Sequence, residues 1–131
     1  MKSGMKVGQS ATIKATVTPD MFAQFEGKLV HPAYSTVSMV YHMEWAARQI
    51  ILPYLEEHEE GIGGGVAAKH MAPTPEGAEL TVTATLREVK GKAVICDVTV
   101  YNGKAIAGEG EVTQYILPRE AISQKIKEMK I

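Results

Sequence analysis

The sequence has a single cysteine, few aromatic residues and no excess of charge of either sign. Because Cys96 has no partner for an intrachain disulfide, we expect a reducing, cytoplasmic location. Fourteen basic and fifteen acidic residues give a formal net charge of −1, which offers no long-range attraction to nucleic acid. No apolar run approaches the ~18 residues of a membrane span, and residues 1–6 lack the apolar core of a signal peptide. We therefore expect neither a nucleic-acid partner nor a membrane.

The composition is that of one globular domain, which we expect to span residues 1–131. Of these residues, 45% are hydrophobic, and this apolar content with balanced charge excludes disorder for most of the chain. A chain of this length buries roughly two-thirds of its unfolded surface. It therefore needs no metal or disulfide to fold.

Hydrophobic periodicity predicts one long helix and several strands. Apolar residues recur at the helical period over residues 35–52, and we expect Pro53 to kink or end this helix. On this helix His42 falls on the polar face, and Glu44 on the shoulder of the apolar face. Residues 21–26 suggest a helical turn, residues 27–34 a loop because of Pro32, and residues 56–60 an acidic loop. A short helix follows Pro118. Alternation or apolar runs predict strands over 10–18, 62–71, 80–87, 93–100 and 104–117.

This order of elements predicts an α+β domain. The long helix would cover one face of an antiparallel sheet whose last four strands form a meander. One helix cannot cover the whole sheet, so the remaining apolar surface favours a dimer.

Two titratable residues stand out as candidates for chemistry. Glu44 on an apolar shoulder would be partly desolvated, a setting suited to proton transfer, or it extends to solvent or pairs with Arg48. His70 follows Ile62, Gly64, Val66 and Ala68 on one predicted strand face. It is either a hydrogen-bonded core residue or a proton shuttle.

Glycines and a threonine complete the candidates. Gly63 and Gly64 lie in a glycine run that marks a β-bulge or a loop end, or presents bare N–H groups to an oxyanion. Thr36 is either the N-cap of the long helix or a functional hydroxyl about 12 Å from Glu44 along the helix axis. No pair of histidines has metal-ligand spacing, so we expect no metal.

Two blocks of sequence resemble a known family. Residues 39–46 (MVYHMEWA) and 66–77 (VAAKHMAPTPEG) are similar to the central helix and the following strand and turn of the hotdog-fold fluoroacetyl-CoA thioesterases. The resemblance extends over about residues 1–117. It implies an antiparallel five- to six-stranded sheet wrapped around the long helix, and a homodimer with sites at its interface. It also implies hydrolysis of an acyl-CoA without any cofactor beyond the CoA of the substrate.

The resemblance also assigns roles to residues. It implies catalysis by Thr36, Glu44 and His70, and the family's strand glycine that approaches the acyl group matches Gly63. For the mechanism we expect a backbone N–H near Gly63 or Gly64 to hold the carbonyl oxygen. Three positions depart from the fluoroacetyl-specific pattern. Gly27 and Val30 align with aromatic lid residues, and Gln114 aligns with a basic residue of the last strand. The resemblance therefore does not predict a preference for a fluorinated acyl group.

Two other functions fit the same pattern. One is a hotdog hydratase or dehydratase that acts on an enoyl- or hydroxyacyl-thioester, and the other is a non-catalytic acyl-CoA-binding module. Four exposed cations are candidates for contacts with the CoA phosphates: Lys69, Arg87, Lys90 and Lys92.

Overall fold

A long helix packed against an antiparallel sheet forms the core of the protein. The computed structural model describes all 131 residues. The helices and strands, in chain order, are β1 (Ser10–Thr16), β2 (Phe22–Phe25), β3 (Lys28–Tyr34), α1 (Thr36–Ile51), β4 (Glu59–His70), β5 (Glu79–Lys90), β6 (Ala93–Tyr101), β7 (Ile106–Pro118) and α2 (Arg119–Glu128), with short 3₁₀ turns at Pro19–Met21 and Leu52–Tyr54. This arrangement confirms the predicted α+β class, the long helix and the helix after Pro118. No helix has the length and apolarity that crossing a membrane requires.

The core lies between one face of the sheet and the inner face of α1. Alternate residues of β5 and β6 are buried, as the period of a strand requires. They pack against the apolar stripe of the helix, which includes Met39, Met43, Ala46, Ala47 and Ile50. Gly108 and Gly110 of β7 lie opposite the two methionines, so the helix packs closely on that strand.

The predicted four-stranded meander is wrong for β4. The strand order is β1-β5-β6-β7-β4, so only β5, β6 and β7 follow one another, and β4 forms the edge beside β7. The connection from β4 to β5 contains Pro73 and Pro75, and its Thr74 is fully buried. Thr74 accepts hydrogen bonds from the Tyr34 N–H (2.9 Å) and the Asn102 side chain (3.0 Å). These contacts stabilise an irregular connection between β4 and β5, whereas a meander would need a tight hairpin there.

A small hairpin replaces the predicted helical turn and loop over residues 21–34. Strands β2 and β3 pair with each other and are joined at Glu26 and Gly27, which both have positive φ (52° and 75°). Two consecutive residues with positive φ are typical of the type I′ hairpin turn. The prediction failed because glutamate is rare at such a position and because Pro32 lies in β3, where an edge strand tolerates it.

A β-bulge in β4 changes which residues share a face. The pairing of β4 with β7 passes from Gly63 to Gly65 and skips Gly64. Residues before the bulge therefore alternate in the opposite phase from those after it. His70, Val66 and Ala68 face the helix as predicted, but Ile62 and Gly64 do not. The strand also begins earlier than predicted, at Glu59, within the expected acidic loop.

We predict that Gly110→Ala destabilises the protein. A Cβ there would lie 2.5 Å from the Ala67 carbonyl oxygen and 2.9 Å from Met43 Sδ, and overpacking of this kind costs about 1–3 kcal/mol. Gly65→Ala is the control, because nothing lies within 4 Å of its Cβ position. Thermal unfolding at equal protein concentration should show a lower Tm for Gly110→Ala only. Equal Tm values for the two variants would contradict the packing described here.

We also predict that Glu60 stabilises the fold above pH 4. Its carboxylate accepts hydrogen bonds from Arg48 (2.9 Å) and the Gly61 N–H (2.8 Å), which lower its pKa. A carboxyl whose pKa falls on folding stabilises the protein above its unfolded value of about 4.3, and this contribution is lost as the pH falls through the folded pKa. Glu60→Gln should therefore lower the Tm at pH 7, and the difference should shrink below pH 4. Glu57→Gln, on the exposed loop, should leave the Tm unchanged at both pH values.

Candidate active site

Thr36 and His70 meet at one end of the helix. Thr36 is the first residue of α1, and His70 is the last residue of β4. Thr36 Oγ1 lies 2.8 Å from His70 Nδ1. The N-cap interaction is made by Ser35, whose side chain accepts a hydrogen bond from the Ser38 N–H. The capping alternative for Thr36 is therefore wrong, and its hydroxyl is directed to the imidazole.

The other ring nitrogen of His70 has no partner within the chain. Its Nε2 is buried and makes no hydrogen bond. Thr36 and His70 line a cavity of about 500 Å³, together with Tyr34, His31 and Pro73 among others. An imidazole with one nitrogen anchored and the other unpaired is suited to exchanging a proton with a bound group.

Glu44 lies in a different cavity. This second cavity has a volume of about 290 Å³ and is lined by Tyr41, Glu44, Trp45, Arg48, Gly61, Gly63, Val112 and Gln114. The Glu44 side chain is exposed, so the desolvated setting expected from the helical pattern is wrong. The expected pairing with Arg48 is also absent, because that guanidinium binds Glu60.

The chain therefore brings together two of the three predicted catalytic residues. Thr36 and Glu44 are eight residues apart on a continuous helix, about 12 Å along its axis. On the facing strand, Gly63 lies next to the Glu44 carboxylate, and His70 is seven residues further on, up to about 23 Å away. Within one chain, Glu44 is separated from the Thr36–His70 pair.

The two candidate glycines differ in their surroundings. A Cβ on Gly63 would lie 3.8 Å from Glu44 Oε1, so this glycine borders the carboxylate. A Cβ on Gly64 would overlap the ring of Tyr115 instead, which places that side of Gly64 away from the Glu44 cavity. Gly64 is also the residue that the bulge leaves out of the β4–β7 register. The glycine run thus contains a bulge and a close approach to a candidate catalytic group.

A buried histidine is the residue that the periodicity misplaced. His42 was predicted on the polar face of the helix but is only 3% exposed. Its Nδ1 lies 2.6 Å from the Tyr34 hydroxyl. This hydrogen bond satisfies the buried imidazole, which the helical pattern alone would place in solvent. Burial lowers the pKa of His42. No signal in the spacing identifies this partner, because Tyr34 belongs to the segment that was predicted as a loop.

Gln114 is the second polar residue enclosed at the site. It is buried beside Glu44, and its Nε2 has no hydrogen-bond partner. Among the four candidate phosphate-binding cations, Arg87 is already paired with Asp97 and Glu111, both at 2.8 Å. The assignments of Lys69, Lys90 and Lys92 stay predictions.

Comparison with known proteins identifies the family. The family of fluoroacetyl-CoA-specific thioesterases matches residues 17–120. The fluoroacetyl-CoA thioesterase of Streptantibioticus cattleyicolor is 32% identical over 139 positions, covering 98% of this chain and 96% of that protein.

Solved structures agree with this match. A Thermus thermophilus protein of the thioesterase superfamily has 42% identity and a TM-score of 0.90, with 95% of each chain covered. A fluoroacetyl-CoA-specific thioesterase structure has 30% identity and a TM-score of 0.90, covering 98% of this chain and all of the other. The fold is thus the hotdog fold of thioesterases, as the sequence resemblance implied, and the chain belongs to the family of fluoroacetyl-CoA-specific thioesterases.

Proposed function

We propose that this protein hydrolyses an acyl-CoA thioester to the free acid and CoA, at sites built from two copies of the chain. The hydrogen-bond contact of Thr36 with His70 is the observation that carries this proposal, because it orients an imidazole that can transfer protons. The chain that contains this pair belongs to a thioesterase family. Structures of a similar thioesterase are described in complex with acetyl-CoA and with fluoroacetate and CoA. These complexes favour an acyl-CoA as the substrate here too.

A homodimer would unite the separated residues. β4 is an edge strand of the sheet, and Gly63 and His70 lie towards its two ends. In a two-fold dimer each contact occurs twice, with the roles of the copies exchanged. Antiparallel pairing of the two β4 edges would place Glu44 and Gly63 of one copy near Thr36 and His70 of the other.

Exposed apolar residues support this association. Val37 (71% exposed), Tyr41 (65%) and Trp45 (41%) follow one another at four-residue spacing on α1 and form a stripe on the surface of the helix. Tyr41 and Trp45 also line the Glu44 cavity. A partner that covers this stripe would close the cavity and exclude water from it.

The proposed chemistry assigns one task to each group. Glu44 either takes a proton from water as the water attacks the thioester carbonyl carbon, or attacks that carbon itself to give an anhydride that water then hydrolyses. His70 donates a proton to the leaving sulfur as the C–S bond breaks, and Thr36 orients His70. In this proposal a backbone N–H near Gly63 or Gly64 binds the developing oxyanion.

We propose a reducing compartment, the cytoplasm, because the single cysteine of the chain can form no intrachain disulfide. Cys96 is buried in the core, and burial raises the pKa of its thiol to about 11. Such a thiol is unreactive.

The catalytic assignment predicts the kinetics of single variants. Glu44→Gln and His70→Ala should each lower kcat by about 10²–10⁴-fold, the usual contribution of general acid–base catalysis. Thr36→Ser keeps the hydroxyl and should retain more activity than Thr36→Ala. His58→Ala, on an exposed loop, is the matched control. The measurement is thiol release across short, branched, aromatic and dicarboxylic acyl-CoA esters, with circular dichroism to verify folding.

Three outcomes would contradict the proposal. Wild-type turnover in Glu44→Gln or His70→Ala would remove that residue from the mechanism. Tight binding of acyl-CoA without any thiol release would indicate a binding module. Hydration of crotonyl-CoA without thiol release would indicate a hydratase.

A further inference from the structure

The buried pair Tyr34–His42 has no task in the proposed chemistry. Both side chains are almost fully enclosed, with 2% and 3% exposure. Their rings stack at 5.7 Å between centroids with 17° between planes, and the hydroxyl lies 2.6 Å from Nδ1. This contact joins the last residue of β3 to the second turn of α1.

Burial keeps both partners of this hydrogen bond neutral. Burial raises the pKa of Tyr34 and lowers the pKa of His42, so both groups are neutral near pH 7. A neutral hydroxyl and a neutral imidazole share one hydrogen bond, and the tautomer of the His42 ring sets whether the hydroxyl or Nδ1 is the donor. A neutral pair of this kind has a defined geometry without a buried charge.

Tyr34 is a neighbour of the Thr36–His70 pair. It lines the same cavity, and its ring meets the His70 ring edge-on, 6.2 Å between centroids at 72°. Its backbone is fixed as well, because its N–H donates to the Thr74 carbonyl (2.9 Å) and the N–H of the next residue, Ser35, donates to the Met21 carbonyl (2.8 Å). Thr36 follows this fixed segment immediately.

On its other side, His42 contacts the wall of the Glu44 cavity. The centroid of the His42 ring lies 5.4 Å from that of Tyr41 and 6.3 Å from that of Trp45. Both Tyr41 and Trp45 line the Glu44 cavity. The pair is thus located between the two halves of the candidate site.

On the basis of the function proposed above, we propose that Tyr34 and His42 are positioning residues for the reaction. Their hydrogen bond fixes the start of α1 against β3, and thereby holds Thr36 at hydrogen-bond distance from His70. A buried neutral hydrogen bond stabilises a protein by only about 1 kcal/mol net, and an apolar pair of similar shape can be equally stable. What the polar pair adds is a fixed distance and direction.

Substitutions of the pair separate positioning from stability. Tyr34→Phe keeps the ring but removes the hydroxyl, and we expect kcat to fall about 10–100-fold with a much smaller change in KM, as slight misplacement of catalytic groups does. His42→Leu should have the same effect. His42→Asn places an amide oxygen near the position of Nδ1 and should recover most of the activity. Tyr101→Phe, an exposed tyrosine on β6, is the control.

The double variant Tyr34→Phe/His42→Leu is the decisive one. It removes both polar partners, so its Tm should recover towards that of the wild type while its kcat stays low. Recovery of kcat together with Tm would overturn the proposal and leave a purely structural pair. Wild-type kcat in Tyr34→Phe would also overturn it.

Failure of this proposal is distinguishable from failure of the proposed function. If His70→Ala and Thr36→Ala lower kcat but Tyr34→Phe does not, only the positioning role is wrong. If His70→Ala and Thr36→Ala leave kcat unchanged, the catalytic assignment itself is wrong.

Discussion

The rigidity of α1 and β4 is the constraint on which the account depends. Thr36 and Glu44 are fixed eight residues apart on a single helix, and Gly63 and His70 are fixed seven residues apart on the strand that faces it. Neither element contains a break that would let its ends approach each other, since β4 stays one continuous strand from Glu59 to His70 although the bulge at Gly64 bends it locally. The separation of the two cavities is therefore a consequence of secondary structure, and a second copy of the chain is the simplest means of closing it.

The core explains why these elements keep their places. Small residues on both sides, Ala46 and Ala47 on the helix and Gly108 and Gly110 on β7, let the helix lie close to the sheet. Polar contacts fix its ends: the Tyr34–His42 hydrogen bond near the first turns, and the Arg48–Glu60 ion pair near the last. The same packing that stabilises the fold thus also sets the distances at the site.

The sequence allowed prediction of much of the fold because α1 and β5 have long, regular periods. The prediction failed where the local hydrophobic pattern and the tertiary contacts disagree. His42 lies on the polar side of an ideal helix, yet a tyrosine from a mispredicted segment makes its burial possible. The facing of Gly64 depends on a bulge, which adds one residue without any distinct signal in a run of three glycines. The Thr36–His70 contact joins residues 34 positions apart, and it was accessible only through the resemblance to a known family.

Complementation between inactive variants tests the central claim, that Glu44 acts with Thr36 and His70 of the other copy. When Glu44→Gln and His70→Ala are mixed and their subunits exchange, each mixed dimer would contain one site with all native groups. Random exchange should then restore about one quarter of wild-type sites. A mixture of Thr36→Ala with His70→Ala should restore none, because those two residues come from the same copy. No recovery in the first mixture, with subunit exchange verified by native mass spectrometry, would contradict the account.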